Sequence, residues 1–160
     1  MQTSFTDQQL KNKDNKSSES ILRKCVHCGM CNATCPTYAI NGNELEGPRG
    51  RIYLIKDMLE NKKPANKKIA QHIDSCLSCY GCMTTCPSGV NYMHLIDHGR
   101  NHVEETYKRP LLDRLFRNIL SYTLPKPNVF LALALFTKII KPFNFILPQF
   151  LKNSLNLMPD

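Results

Sequence analysis

Residues 25–36 read Cys25-Val26-His27-Cys28-Gly29-Met30-Cys31-Asn32-Ala33-Thr34-Cys35-Pro36. They return at 76–87 as Cys76-Leu77-Ser78-Cys79-Tyr80-Gly81-Cys82-Met83-Thr84-Thr85-Cys86-Pro87. Both copies are C-x2-C-x2-C-x3-C-P, and all eight cysteines of the 160-residue chain lie in them. Three thiols at x2 intervals let one tight loop present three ligands to a single compact object. The following proline has no N–H to continue a hydrogen-bonded run, so the chain turns away after the fourth.

This is the spacing of bacterial ferredoxins, in which the last cysteine of each run ligates the cluster of the other. The expected cofactors are two [4Fe–4S] clusters. Cluster one takes Cys25, Cys28, Cys31 and Cys86; cluster two takes Cys76, Cys79, Cys82 and Cys35. Exchanging the fourth ligands forces the two runs side by side, so that two one-electron centres become neighbours. Gly29 and Gly81 are expected to take positive φ and bring backbone amides close to the clusters. Zinc, the usual occupant of C-x2-C pairs, gains nothing from a third x2 step or from the C-P ending. Disulfides suit neither this spacing nor a chain that opens without a signal-peptide pattern, which points to a reducing, cytoplasmic setting.

The formal charge of +8 is that of the polypeptide. Two clusters with thiolate ligands, about −2 each, bring it nearer about +4, so the basic balance is poor ground for expecting nucleic acid. An acidic partner subunit or an anionic membrane surface explains it equally well. No apolar run reaches the ~20 residues of a membrane-spanning helix.

Residues 1–19 are polar and are expected to form a mobile arm or a frayed helix, with a short helical lead-in near Ile21 and Leu22, capped at Ser18 or Ser20. Residues 36–75, between the motifs, read as helical rather than as hairpins. Ile52, Ile55, Met58 and Leu59 form a 3.6-period stripe over Arg51–Glu60, and a second short helix covers about Asn66–Ser75. Asn91 caps a longer helix to about Lys108, and Pro110 ends it. Leu111, Leu112, Leu115, Phe116, Ile119 and Leu120 mark a further amphipathic helix. The fold expected is all-α: a helical two-cluster ferredoxin domain at 20–109, with a helical C-terminal extension at 110–160. The apolar, basic tail from Val129 to Leu151 has two readings, resting on a membrane surface or packing on another subunit.

Four other features have competing readings. His94, His98 and His102 recur at i, i+4 and i+8, as a metal site would, but nothing on that face completes a ligand set, and an exposed polar stripe explains them better. His27 either tunes a cluster from within its loop or is surface. Arg49 and Arg51 oppose the dipole of the helix they open. Either they face a negative partner, the cluster or an acidic subunit, or they pair with Glu44 or Glu46. There is no phosphate-binding loop, dinucleotide fingerprint or nucleophile constellation, so catalytic residues are none: the chain is expected to carry electrons produced elsewhere.

Cys25-Val-His-Cys28-Gly-Met-Cys31, Pro36-Thr-Tyr, and above all Glu46-Gly-Pro-Arg-Gly-Arg-Ile-Tyr-Leu-Ile-Lys56 resemble the iron–sulfur subunits of bacterial glycolate oxidase (glycolate dehydrogenase). Cys86-Pro-Ser-Gly-Val90, Asp97-His-Gly-Arg100 and Lys108-Arg-Pro110 carry the resemblance on from about Ser20 towards the tail. It implies partner subunits containing FAD that oxidise glycolate to glyoxylate, with this subunit passing electrons singly to a quinone or other acceptor. Related lactate and glycerol-3-phosphate dehydrogenases share the cluster motifs. Members of the family continue into Cys-Cys-Gly repeats, whereas no cysteine follows Cys86 here, so no role of that region is carried over. From other classes come a metal-stabilised nucleic-acid-binding module, which lacks the interleaved aromatics it would need, and a redox sensor with no enzymatic partner.

Overall fold

The computed structural model describes residues 1–140. Its regular elements are helices α1 (Asp7–Leu10), α2 (Lys13–Lys24), α3 (Pro36–Asn41), α4 (Pro48–Glu60), α5 (Lys67–Asp74), α6 (Gly81–Thr84), α7 (Tyr92–Thr106), α8 (Leu111–Thr123) and α9 (Pro127–Ile140), with short 3-10 turns at Met30–Asn32 and Glu44–Glu46. Among the described residues there is no strand, as the 3.6-period stripes require. The chain divides into two compact units, Met1–Lys108 and Arg109–Asp160, and every cysteine belongs to the first.

Local chemistry sets the helix limits. Pro48 stands at the first position of α4, where its missing N–H costs nothing, and the turn opens where Gly47 is extended. Asn66 and Asn91 cap α5 and α7 by accepting from the Ile69 and His94 amides, satisfying donors that the helices leave open. The buried stripe of α4 is Ile52, Ile55, Met58 and Leu59. It packs against α7, which contributes Leu95, Ile96 and Val103, and α5 adds Ala70 and Ile73. Each large apolar side chain fully withdrawn from water contributes about 1.5–3 kcal/mol, so this three-helix contact is the main source of cohesion beneath the cysteine loops.

Residues 1–19 are not a mobile arm. Thr6 and Gln9 form a capping box on α1, and Asn12 caps α2, which therefore begins well before the expected lead-in. Gln9 is buried and donates through Nε2 to the carbonyls of Leu59 and Glu60, both at 2.9 Å. Those are open acceptors at the C-terminal end of α4. Met1 and Phe5 also pack on the core, with the Met1 ammonium donating to the Leu22 and Arg23 carbonyls at the end of α2. Polar composition concealed the packing because it rests on a side-chain amide rather than an apolar stripe.

In the second unit, α8 carries Leu111, Leu112, Leu115, Phe116 and Ile119 as an exposed apolar face. Among the described residues no helix is long and apolar enough to cross a membrane. The part of the apolar tail beyond residue 140, including Phe143–Phe150, lies outside the described residues.

Candidate metal centre

The two cysteine motifs fold alike. In the first, His27 (φ 58°) and Gly29 (φ 85°) take the left-handed conformation; in the second it is Ser78 (φ 53°) and Tyr80 (φ 56°). These are the same two registers after Cys25 and Cys76. The expectation for Gly81 therefore fails. Gly81 opens α6, and Tyr80 holds the left-handed position that Gly29 holds in the first loop, at the steric cost that any Cβ meets there. Glycine content pointed to the wrong residue because the backbone requirement belongs to the register.

The loops are joined back to back. Thr34 and Thr85, each just before the fourth cysteine of its motif, share a hydroxyl hydrogen bond of 3.1 Å. Each fourth cysteine is thereby carried across to the opposite loop. One cavity is lined by Cys25, Cys28, Cys31 and Cys86, with Cys82 also on its wall. A second is lined by Cys35, Cys76, Cys79 and Cys82. Cys82 and Tyr92 border both, so the cavities are immediate neighbours. Each wall includes three thiols of one motif and the fourth of the other, the donor set a [4Fe–4S] cluster takes. Among the described residues, no three His, Cys, Asp or Glu side chains converge as a single metal ion needs. A cubane, with its thiolates on four separate irons, spreads its ligands more widely.

Cys28 and Cys79 are exposed, whereas Cys25, Cys35 and Cys82 are buried. Burial and the neighbouring thiols push the Cys82 thiol up to about 12, and Cys31 is raised for the same reasons. At Cys35 burial acts in the same direction but is outweighed. The Thr37 hydroxyl, the amides of Tyr38 and Thr37 at the start of α3, and Arg51 hold the thiol below its ordinary value. Cluster assembly must therefore deprotonate thiols of very different acidity, a cost that metal–thiolate bonding offsets.

Arg51 is the largest fully buried side chain, 1% exposed. Its Nε donates to the His72 carbonyl at 2.6 Å, and its Nη2 donates to Thr37 Oγ1 (3.1 Å), Ser75 Oγ (3.0 Å) and Glu46 Oε2 (2.9 Å). The remaining nitrogen, Nη1, lies 4.0 Å from Cys35 Sγ. Glu46 is bound in turn by Ser75 Oγ and by His72 Nδ1, the latter at 2.6 Å. Arg49 pairs with Glu44 at 2.8 Å on the surface. The glutamate-pairing reading holds for both arginines, and Arg51 also faces a cysteine.

Two further donors were not visible in the sequence. Tyr92, buried on α7, points its hydroxyl at Cys76 Sγ, 3.7 Å away. Arg100, also on α7, clamps the second loop through Ser78 Oγ and the Cys76 carbonyl, each at 2.7 Å. Helical spacing puts Tyr92 on the same buried face as Leu95, Ile96 and Val103 but does not show where its hydroxyl ends. On the first loop, His27 is exposed, with its ring 6.3 Å from that of Tyr53. The histidine stripe of α7 is divided among separate partners. His98 Nδ1 meets Ser18 Oγ at 2.7 Å and His102 Nε2 meets the Lys63 carbonyl at 2.8 Å.

Comparison with known proteins agrees with this geometry. Residues 21–90 match the 4Fe-4S dicluster domain family. The chain is 50% identical over 143 residues to the glycolate oxidase iron–sulfur subunit of Escherichia coli (strain K12), covering 89% of this chain and 35% of that protein. It is 32% identical over 117 residues to a probable glycolate oxidase iron–sulfur subunit of Bacillus subtilis (strain 168), covering 70% of this chain and 26% of that one. A succinate dehydrogenase [ubiquinone] iron–sulfur subunit of Candida glabrata is 27% identical over 88 residues, 51% of this chain and 35% of that one. No solved structure matches. Helical throughout the described residues and carrying two cysteine-lined cavities, the chain is an iron–sulfur protein with a 4Fe-4S dicluster domain. More narrowly, the chain is a homologue of the glycolate oxidase iron–sulfur subunit, and it spans about a third of that relative's length.

Proposed function

We propose that this chain is the electron-transfer portion of a flavin-dependent glycolate oxidase complex, accepting electrons from FAD-containing subunits that convert glycolate to glyoxylate. Bound in the two cavities, [4Fe–4S] clusters supply one-electron acceptor and donor centres. Cys25, Cys28, Cys31 and Cys86 hold one cluster; Cys76, Cys79, Cys82 and Cys35 hold the other. The observation that carries this reading is the crossing of Cys35 and Cys86 between the motifs, which sets two cysteine cavities against a shared wall at Cys82. The 50% identity to a named glycolate oxidase subunit supports the choice of substrate.

Within this reading the residues of the chain divide the work. The buried core of α4, α5 and α7 holds the loops rigid. Thr34 and Thr85 lock the fourth cysteines into place, and exposed Cys28 and Cys79 bring one edge of each site close to the surface where a partner docks. The chain works on the cytoplasmic side, peripherally where the acceptor is a quinone, the class of acceptor named for the succinate dehydrogenase relative.

The test is to assemble the chain with its flavoprotein subunits under argon and follow bleaching of the cluster absorbance. Glycolate should bleach it within turnover time, and only when the flavoprotein is present. Bleaching by lactate or glycerol-3-phosphate but not by glycolate would transfer the subunit to a related dehydrogenase. No substrate-linked bleaching would leave the sensor reading in its place.

A further inference from the structure

The two cavities share the wall at Cys82 but differ in what faces their cysteines. Around Cys35, Cys76, Cys79 and Cys82, two buried side chains aim donors at ligand sulfurs: Arg51 Nη1 towards Cys35 (4.0 Å) and the Tyr92 hydroxyl towards Cys76 (3.7 Å). The Arg51 guanidinium is held in that orientation by its bonds to the His72 carbonyl, Thr37 and Glu46. Nη1 therefore faces the cysteine, while the adjacent Nη2 carries the Glu46 carboxylate. At the other cavity the corresponding donor is a main-chain amide, Val90 N–H to Cys86 Sγ at 3.5 Å. The arginine on that side, Arg49, is 31% exposed and bonded to Glu44. Water and the carboxylate weaken its field there.

Reduction adds a negative charge to a cluster, and hydrogen bonds to ligand sulfur or a buried cation nearby favour the reduced form. A cation in a dry site acts far more strongly than one at the surface. We infer that Arg51 and Tyr92 give the cluster held by Cys35, Cys76, Cys79 and Cys82 the higher reduction potential of the two. The half-reduced protein then keeps its electron on that side, which sets the direction of flow through the pair. The inference rests on the cluster assignment proposed above. Arg51 and Tyr92 are positioning residues, acting through the ligands they face.

The experiment is an EPR-monitored redox titration of the full chain with both clusters loaded, in wild-type protein and in Tyr92→Phe, the double variant Arg51→Met/Glu46→Gln, Arg49→Gln and Cys79→Ser. The double variant removes both members of the buried pair, so no charge is stranded. Tyr92→Phe keeps the packing and removes only the hydroxyl. Cys79→Ser identifies which wave belongs to the Cys79 cluster. Wild type should give two one-electron waves, with the upper one altered by Cys79→Ser. Tyr92→Phe should lower the reduced-to-oxidised ratio of that wave about threefold at fixed potential. The double variant should lower it about tenfold, equivalent to 59 mV for one electron. Arg49→Gln should leave it in place. Assignment of the Cys79 wave to the lower potential would overturn the inference, as would unmoved or equally moved waves in loaded Tyr92→Phe. Fewer than about eight irons in wild type would instead overturn the cluster assignment, so the two failures are distinguishable.

Discussion

Gly50 shows how closely single residues are specified here. A Cβ at this position would collide with the Glu44 carbonyl oxygen and sit 2.8 Å from Leu45 Cα, backbone atoms with nowhere to retreat. The 3-10 turn at Glu44–Glu46 and the first turn of α4 are pressed together at this point, and that contact carries Arg51 and Glu46 into register. At Gly99 on α7, an added Cβ would meet Ile55 Cγ1 at 2.8 Å, a side chain that can shift. Gly50→Ala should therefore cost about 3 kcal/mol or more and Gly99→Ala about 1–2 kcal/mol, measured by denaturant unfolding of the anaerobic holoprotein. Equal costs would mean that the Glu44 turn yields as readily as a side chain. The importance of Gly50 was foreshadowed by the Gly-Pro-Arg-Gly-Arg stretch. The pairing of its second arginine with Glu46 was among the readings, but its burial was not, because only the enclosing Glu46, Ser75, Thr37 and His72 make a buried Arg51 tolerable.

At the scale of elements, α7 connects most of the first unit, packing against α2, α4 and α5. Beside the apolar core that Ile21 and Leu22 join, its contact with α2 includes a polar joint of His98 with buried Ser18. Burial lowers the pKa of His98 below its ordinary value, with His94 and His102 pushing the same way and Asp14 and Glu105 opposing. The unfolded chain therefore takes up the proton first as pH falls, so stability is full above about 6.5 and declines as pH drops through that value. His98→Gln, which keeps a hydrogen-bonding group, should flatten the decline between about pH 7.5 and 5.5 when midpoints of urea unfolding are compared. An unchanged slope would place the acid sensitivity elsewhere. Apolar period and cap residues made α4, α5, α7 and α8 legible from sequence. The polar joints were not: Gln9 on the end of α4 and Ser18 on His98 pair residues far apart in the chain, with no periodicity to mark them.

Over the whole molecule, repetition organises the fold. Two copies of one motif adopt the same pair of left-handed registers, meet through Thr34 and Thr85, and give two adjoining cysteine-lined cavities over one helical core. The grouping of Cys86 with the first motif and Cys35 with the second was legible because the repeated spacing follows the bacterial ferredoxin pattern. The inequality of the two cavities was not, because it depends on Arg51 and Tyr92, which reach the second site from α4 and α7 and lie outside both motifs. An electron relay needs both properties: nearness for transfer and inequality for direction. The most direct test is the iron and acid-labile sulfide content of the full chain purified without oxygen, with an EPR spectrum after dithionite reduction. About eight irons and eight sulfides per chain, with lines broadened by two interacting spins, are expected for two adjacent [4Fe–4S] clusters. About two zinc ions and no sulfide would contradict the electron-transfer account at its foundation.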